Sequence, residues 1–137
     1  MSNNPTVEQK FASSPNSSVW VNASAGTGKT RVLTSRVVRL LLTGFDPASI
    51  LCITFTKAGA SEMADRINKE LIGLTLASDD ELKKKLLNYV NDIDEITTEL
   101  TDRARNLFAE VSDLPNGLSI MTIHSFCQTL LKKFPLE

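Results

Sequence analysis

The residues Ala23-Ser24-Ala25-Gly26-Thr27-Gly28-Lys29-Thr30 join a run of small side chains to a lysine and a threonine hydroxyl. Small residues let successive backbone N–H groups curl around a phosphate. A helix that follows aims the positive end of its dipole at the same anion, and the lysine reaches the β- and γ-phosphates of a nucleoside triphosphate. In this spacing the hydroxyl of Thr30 faces Mg²⁺, so Lys29 and Thr30 are the expected catalytic pair and Thr30 the metal ligand. The general pattern opens on glycine, where this chain has Ala23. Alanine is small enough to keep the turn.

Such a loop has to be held between a strand and a helix. Ser18 to Val21 is a short strand-like run, and from Lys29 onward Val32, Leu33, Val37, Leu40 and Leu41 recur near helical spacing up to Gly44, with Pro47 beyond. A second strand–loop–helix unit follows. Ile50 to Phe55 is a continuous apolar run, expected to be a strand buried on both faces of a parallel sheet, and Met63, Ile67, Leu71 and Leu74 line one face of a helix from about Ala58 to Leu74. A third strand, Leu118 to Thr122, leads into a helix from His124 to about Phe134. Strands alternating with helices predict an α/β fold with right-handed crossovers.

Residues 1–18 are rich in Ser, Asn and Pro and read as mostly loop, with one helical stretch near Thr6 to Ala12 and Thr6 as its cap. Residues 78–111 read as an acidic helical pair, solvated on the outside and packed over the sheet edge. Asn91 to Glu95 offers a carboxylate pair of the kind that holds Mg²⁺ through water at a strand end. Asn88, Asn91 and Asp92 interrupt the stretch and its spacing is helical, so it does not serve that role.

The chain has 137 residues, 42% of them hydrophobic and 23% charged, the composition of one globular domain or part of one. Its net charge is −1, so no overall basic field points to nucleic acid and any contact with DNA must be local. Cys52 and Cys127 lie in apolar strand and helix patterns with no Cys-x-x-Cys spacing, and read as buried, reduced thiols. The longest apolar stretches, such as Val37 to Leu42, are far short of a membrane span. A soluble, cytoplasmic chain is expected.

Three segments together resemble the N-terminal ATP-binding portion of superfamily 1 DNA helicases of the UvrD/Rep type, most closely the AddA and RecB helicase–nuclease subunits. They are Ala23 to Thr30, in the Ala-first form that group uses; Ile53 to Met63, similar to helicase motif Ia; and Thr122 to Cys127. Gln9, with Ala12 behind it, is similar to the upstream glutamine with which that family reads adenine. Gly59 stands where the family commonly has alanine. The four elements span nearly the whole chain in the family's order.

The resemblance implies a partial RecA-like P-loop NTPase fold, ATP and Mg²⁺ as ligands, and a nucleotide site at Gln9, Ala23, Ser24, Ala25, Gly26, Thr27, Gly28, Lys29, Thr30 and Arg31. It implies single-stranded DNA contacts at Thr54, Phe55, Thr56 and Lys57, and at Thr122, His124, Ser125 and Phe126. Hydroxyls there would bond phosphate and the aromatic ring would stack on bases. A structural alternative makes Phe55 a core residue, Thr54 a helix cap, and His124 or Ser125 the cap of the last helix.

It further implies 3′ to 5′ movement in recombination and repair, and partners in the remaining helicase domains and a nuclease subunit. In that family's sheet, other strands lie between the P-loop strand and the strand ending at Thr54, so an isolated chain is expected to be poorly stable or to associate, with negligible hydrolysis. A non-enzymatic remnant with weak nucleotide binding shares every motif. A small P-loop kinase is disfavoured because Arg31, Arg36 and Arg39 fall on the first helix rather than in a lid.

Overall fold

Hydroxyl side chains mark where most of the helices begin. Thr6, Thr56, Ser78, Thr97 and Thr122 each accept a hydrogen bond from a backbone N–H of the following first turn, satisfying a donor the helix itself leaves unpaired. The structure, a computed structural model, describes residues 5–22, 24, 26 and 28–134. In order, its elements are helices α1 (Val7–Ala12) and α2 (Lys29–Leu42), strand β1 (Leu51–Thr54), helices α3 (Lys57–Thr75), α4 (Asp79–Leu86) and α5 (Thr98–Ser112), strand β2 (Ser119–Thr122) and helix α6 (Ile123–Lys133).

The strands β1 and β2 pair in parallel, with Leu51 opposite Ser119 and Thr54 opposite Thr122. Parallel pairing needs a crossover connection, and α3 to α5 supply it. The core lies between helices: Val38 and Leu41 of α2, Ile67 and Leu71 of α3, Leu86 of α4 and Leu107 of α5 are fully buried in one cluster. The helical face predicted for Met63, Ile67, Leu71 and Leu74 is the buried face of α3.

Side chains of α5 tie this core to the ends of its neighbours. Arg103 Nε donates to the carbonyl of Leu41 at 2.7 Å, at the end of α2. Arg105 donates to the carbonyl of Ala77 at 3.0 Å and to the Asp79 carboxylate at 2.6 Å, between α3 and α4. Cations at helix C-termini answer the orphan carbonyls and the dipole there.

Several sequence-based expectations change. Ser18 to Val21 is not a strand: no described strand lies beside it to accept its backbone bonds, and Trp20 is 92% exposed. β1 is buried on one face only. Cys52 packs against the core, while Leu51 and Ile53, on the opposite face by strand alternation, are each 45% exposed. Cys52 is accordingly half-buried rather than buried, with burial pushing its thiol pKa up, and Cys127 is exposed on α6. The segment after Ser78 is less solvated than its acidity suggests. Leu82, Leu86, Ala104, Leu107 and Val111 turn into the core, and α5 packs chiefly on α3 rather than over a sheet edge. The expectation for Asn91 to Glu95 holds: the segment carries a short 3-10 turn capped by Asp92 and no strand end.

Among the described residues, no helix is long and apolar enough to cross a membrane.

Candidate functional site

Helix α2 starts at Gly28, whose φ of 88° is left-handed, a conformation glycine adopts without strain. No side chain caps this end, unlike the hydroxyl-capped helices. Its first-turn N–H groups and its dipole are therefore directed at whatever anion enters. Gly26 is left-handed as well, with φ 81°. Ala23, Ala25 and Thr27 lie outside the described residues.

A cavity of about 370 Å³ opens here, lined by Gly26, Gly28, Lys29, Thr30, Arg31 and Arg66. Lys29 and Arg31 are exposed and Thr30 half-buried, and Ser24 is exposed nearby in sequence. Arg66 comes from α3. The Glu62 carboxylate, one turn earlier, accepts from its Nε at 3.1 Å and its Nη2 at 2.7 Å. A second, more apolar cavity of about 350 Å³ shares Lys29 and is also lined by Gln9, Phe11, Ala12, Trp20 and Val32. Lys29 thus stands between a basic pocket and an apolar one, the arrangement a nucleotide's phosphates and base require.

Gln9 is the third residue of α1 and completes a capping box: Thr6 N–H donates to its Oε1 at 3.1 Å, while its own N–H donates to Thr6 Oγ1 at 3.2 Å. That bond assigns the amide orientation and turns Nε2 toward the P-loop. A β-carbon at Gly28 would lie 3.4 Å from Gln9 Nε2, so the amide rests against the loop glycine.

The stretch between α1 and the loop is held from α2. Arg36 donates through Nη1 to the carbonyl of Ser14 and through Nη2 to that of Ser17 at 2.7 Å. Arg39 Nη1 donates to the carbonyl of Lys10 at 2.7 Å and to Ser13 Oγ at 3.1 Å. Burial lowers the pKa of Arg39, with the Glu95 carboxylate working the other way. Tyr89, facing α3, donates to Glu70 at 2.9 Å; burial first, then the Glu70 charge, pushes its phenol pKa up, so it is a neutral donor.

At the other candidate region, the register that sets Thr54 opposite Thr122 brings the two segments expected to contact DNA to adjacent strand ends. Phe55 is 89% exposed, which excludes the core alternative for it. The cap of α3 is Thr56, whose Oγ1 accepts from Gly59 N–H at 3.0 Å, rather than Thr54, whose Oγ1 donates to the Thr56 carbonyl at 2.9 Å. Lys57 opens α3 and is exposed. Thr122, not His124 or Ser125, caps α6: its buried Oγ1 accepts from Ser125 N–H at 3.2 Å and lies 3.0 Å from Ser125 Oγ. His124 is exposed, and Ser125 and Phe126 are half-buried. Thr122 therefore supports this face from beneath.

Sequence reasoning missed Arg66 in the cavity at the start of α2 and the contacts of Arg36 and Arg39. The signals were present as an i, i+4 Glu62/Arg66 pair and as two arginines three apart on α2, but only the packing shows what they face.

Comparison with known proteins identifies relatives of the chain. Curated relatives include the A subunit of an ATP-dependent helicase/nuclease from Pediococcus pentosaceus, 33% identical over 94% of this chain and 9% of the relative. Proteins of the same name from Latilactobacillus sakei and Clostridium kluyveri are 35% and 36% identical over 85% and 86% of this chain, and 11% and 8% of theirs. The chain therefore spans about a tenth of the length of these relatives. No solved structure matches it. The UvrD/REP helicase N-terminal domain matches residues 4–137, essentially the whole sequence, and the chain belongs to that family.

Proposed function

We propose that this chain is the ATP-binding segment of an ATP-dependent DNA helicase of recombination and double-strand break repair, part of a RecA-like domain that moves 3′ to 5′. One observation carries the reading: the Gln9 amide and the uncapped start of α2 converge on adjoining cavities that share Lys29. Adenine would lie beside Gln9. The β- and γ-phosphates would lie over the N–H groups of Gly28 to Thr30, with Lys29 on the γ side and Arg31 at the rim.

The residues present suit Mg²⁺·ATP: Thr30 offers a hydroxyl on the first turn, and the left-handed Gly28 lets the backbone approach the phosphates closely. Mg²⁺ held by Thr30 would neutralise charge on the phosphate oxygens. Among the described residues, the lining of the phosphate cavity carries no acidic side chain, so what it supports is binding and orientation rather than turnover.

Single-stranded DNA would cross the ends of β1 and β2, stacking on Phe55 and meeting Thr56, Lys57, His124 and Ser125. The relatives' names also suggest the remaining helicase domains and a nuclease component as partners.

Calorimetric titration of the purified chain with Mg·ATP tests the reading. Saturable binding that Lys29→Ala abolishes supports it, and no binding by the unaltered chain overturns it. A second reading, a remnant with weak nucleotide binding, is favoured by the unpaired run from Ser18 to Val21, and a shallow, unsaturated titration would select it.

A further inference from the structure

We propose that Arg39, acting with Ser13, is the positioning residue that makes the nucleotide site select adenine. The inference rests on the reading of Gln9 as the base contact.

Adenine presents an acceptor at N7 and a donor at N6, whereas guanine presents acceptors at N7 and O6. A glutamine amide distinguishes them only if its oxygen and nitrogen are held in place. Fixed, Oε1 meets the adenine N6–H and Nε2 donates to N7; guanine would set its O6 lone pairs against Oε1. An amide free to turn over offers its NH₂ group to both guanine acceptors and loses the distinction.

The capping box with Thr6 settles which end of the amide is oxygen, and Oε1 keeps a second lone pair for the base. It does not settle where the amide sits. Helix α1 has six residues and buries none of them, too short to hold its own position. Something outside must place it.

Arg39 does so. Its residue is only 6% exposed, and its Nη1 bonds both the Lys10 carbonyl and Ser13 Oγ. Ser13, 2% exposed, donates its own hydroxyl to the Lys10 carbonyl at 3.0 Å and its N–H to the Gln9 carbonyl at 3.0 Å. Lys10 and Ser13 therefore bracket the turn that carries Gln9. Arg39 stands on the helix whose first turn holds the phosphates, about 15 Å along α2 from Lys29 at 1.5 Å per residue. One rigid element thus sets both the phosphate site and the height of the Gln9 amide above it. Removing the bracket leaves α1 tethered by Lys10 Nζ, which donates to the Leu87 carbonyl at 3.2 Å, and the residues after it by Arg36 at Ser14 and Ser17, and leaves the start of α2 untouched. Base selection should fail while phosphate binding persists.

The test is titration of the full chain with Mg·ATP, Mg·GTP and inorganic tripolyphosphate, for the unaltered protein and for Ser13→Ala, Arg39→Lys and Arg39→Met. The unaltered chain is expected to prefer ATP over GTP by at least about fivefold, the discrimination of one bidentate amide contact. The variants should bring that ratio toward one by weakening ATP alone, with tripolyphosphate affinity unchanged. An ATP-to-GTP ratio that survives all three substitutions overturns the proposal. So does parallel loss of all three ligands in Ser13→Ala, the variant that removes only a hydroxyl and decides the matter if Arg39→Met does not fold. Tripolyphosphate binding with equal ATP and GTP affinities in the unaltered chain overturns this inference and leaves the phosphate site standing. Binding of none of the three overturns both.

Discussion

Phe55 is an aromatic ring with almost no protein around it, two residues from the exposed Lys57 and next to a threonine that caps a helix. Burial of a ring is the usual source of its stabilisation, and a partner outside the folded chain would be one reason to leave it in water. If that reason is a nucleic-acid base, Phe55→Ala should weaken binding of a labelled oligo-dT by about 1–3 kcal/mol, roughly 5- to 150-fold, in fluorescence anisotropy without altering the melting temperature. An unchanged affinity would return Phe55 to the role of a contact for another polypeptide. Arg66 makes a different prediction. It lines the phosphate cavity from α3 and is held by Glu62, so it adds positive charge where a terminal phosphate would lie. Arg66→Ala should weaken Mg·ATP more than Mg·ADP in parallel titrations, and an equal loss for both would show that it acts only on α3.

At the level of elements, caps join stability to function. Thr56 Oγ1 closes the first turn of α3 while its backbone carbonyl accepts from Thr54, so the cap fixes the loop that presents Phe55 and Lys57. Thr56→Ala should cost about 0.5–2 kcal/mol in urea unfolding, and it should also lower oligo-dT affinity through lost loop order. If stability falls and DNA affinity does not, the loop's shape is set by something other than its cap. Helix α2 shows the opposite design. Its start lacks a side-chain cap, its middle carries the arginines that hold the N-terminal stretch, and its end is closed by Arg103 of α5. It is left open where a phosphate would bind and closed elsewhere.

Across the whole molecule, the helical core and the sheet differ in completeness. Ile67 and Leu107 are fully buried, and either Ile67→Ala or Leu107→Ala should destabilise by about 2–5 kcal/mol in chemical denaturation, since the surrounding helices close over the cavity only in part. Leu51 and Ile53 are half in water on the sheet face opposite Cys52, and α6 buries no residue. That exposed apolar surface, bordering strand edges, should drive self-association, so sedimentation velocity is expected to show species larger than a monomer that Ile53→Lys reduces. A sharply unfolding monomer would refute this.

The left-handed glycines at the start of α2, the extents of α2 and α3, and the buried face of α3 were all legible in the sequence. Each is set by residue type and local spacing, and needs no distant partner. Other features emerged with the packing alone: among the described residues Ser18 to Val21 pairs with no strand, one face of β1 is wet, Thr122 is a buried cap beneath the proposed DNA face, Arg39 holds Lys10 and Ser13 at the end of α1, and Arg66 lines the cavity at the start of α2. A strand exists only where another backbone meets it, and a long side chain finds its partners across helices far apart in sequence.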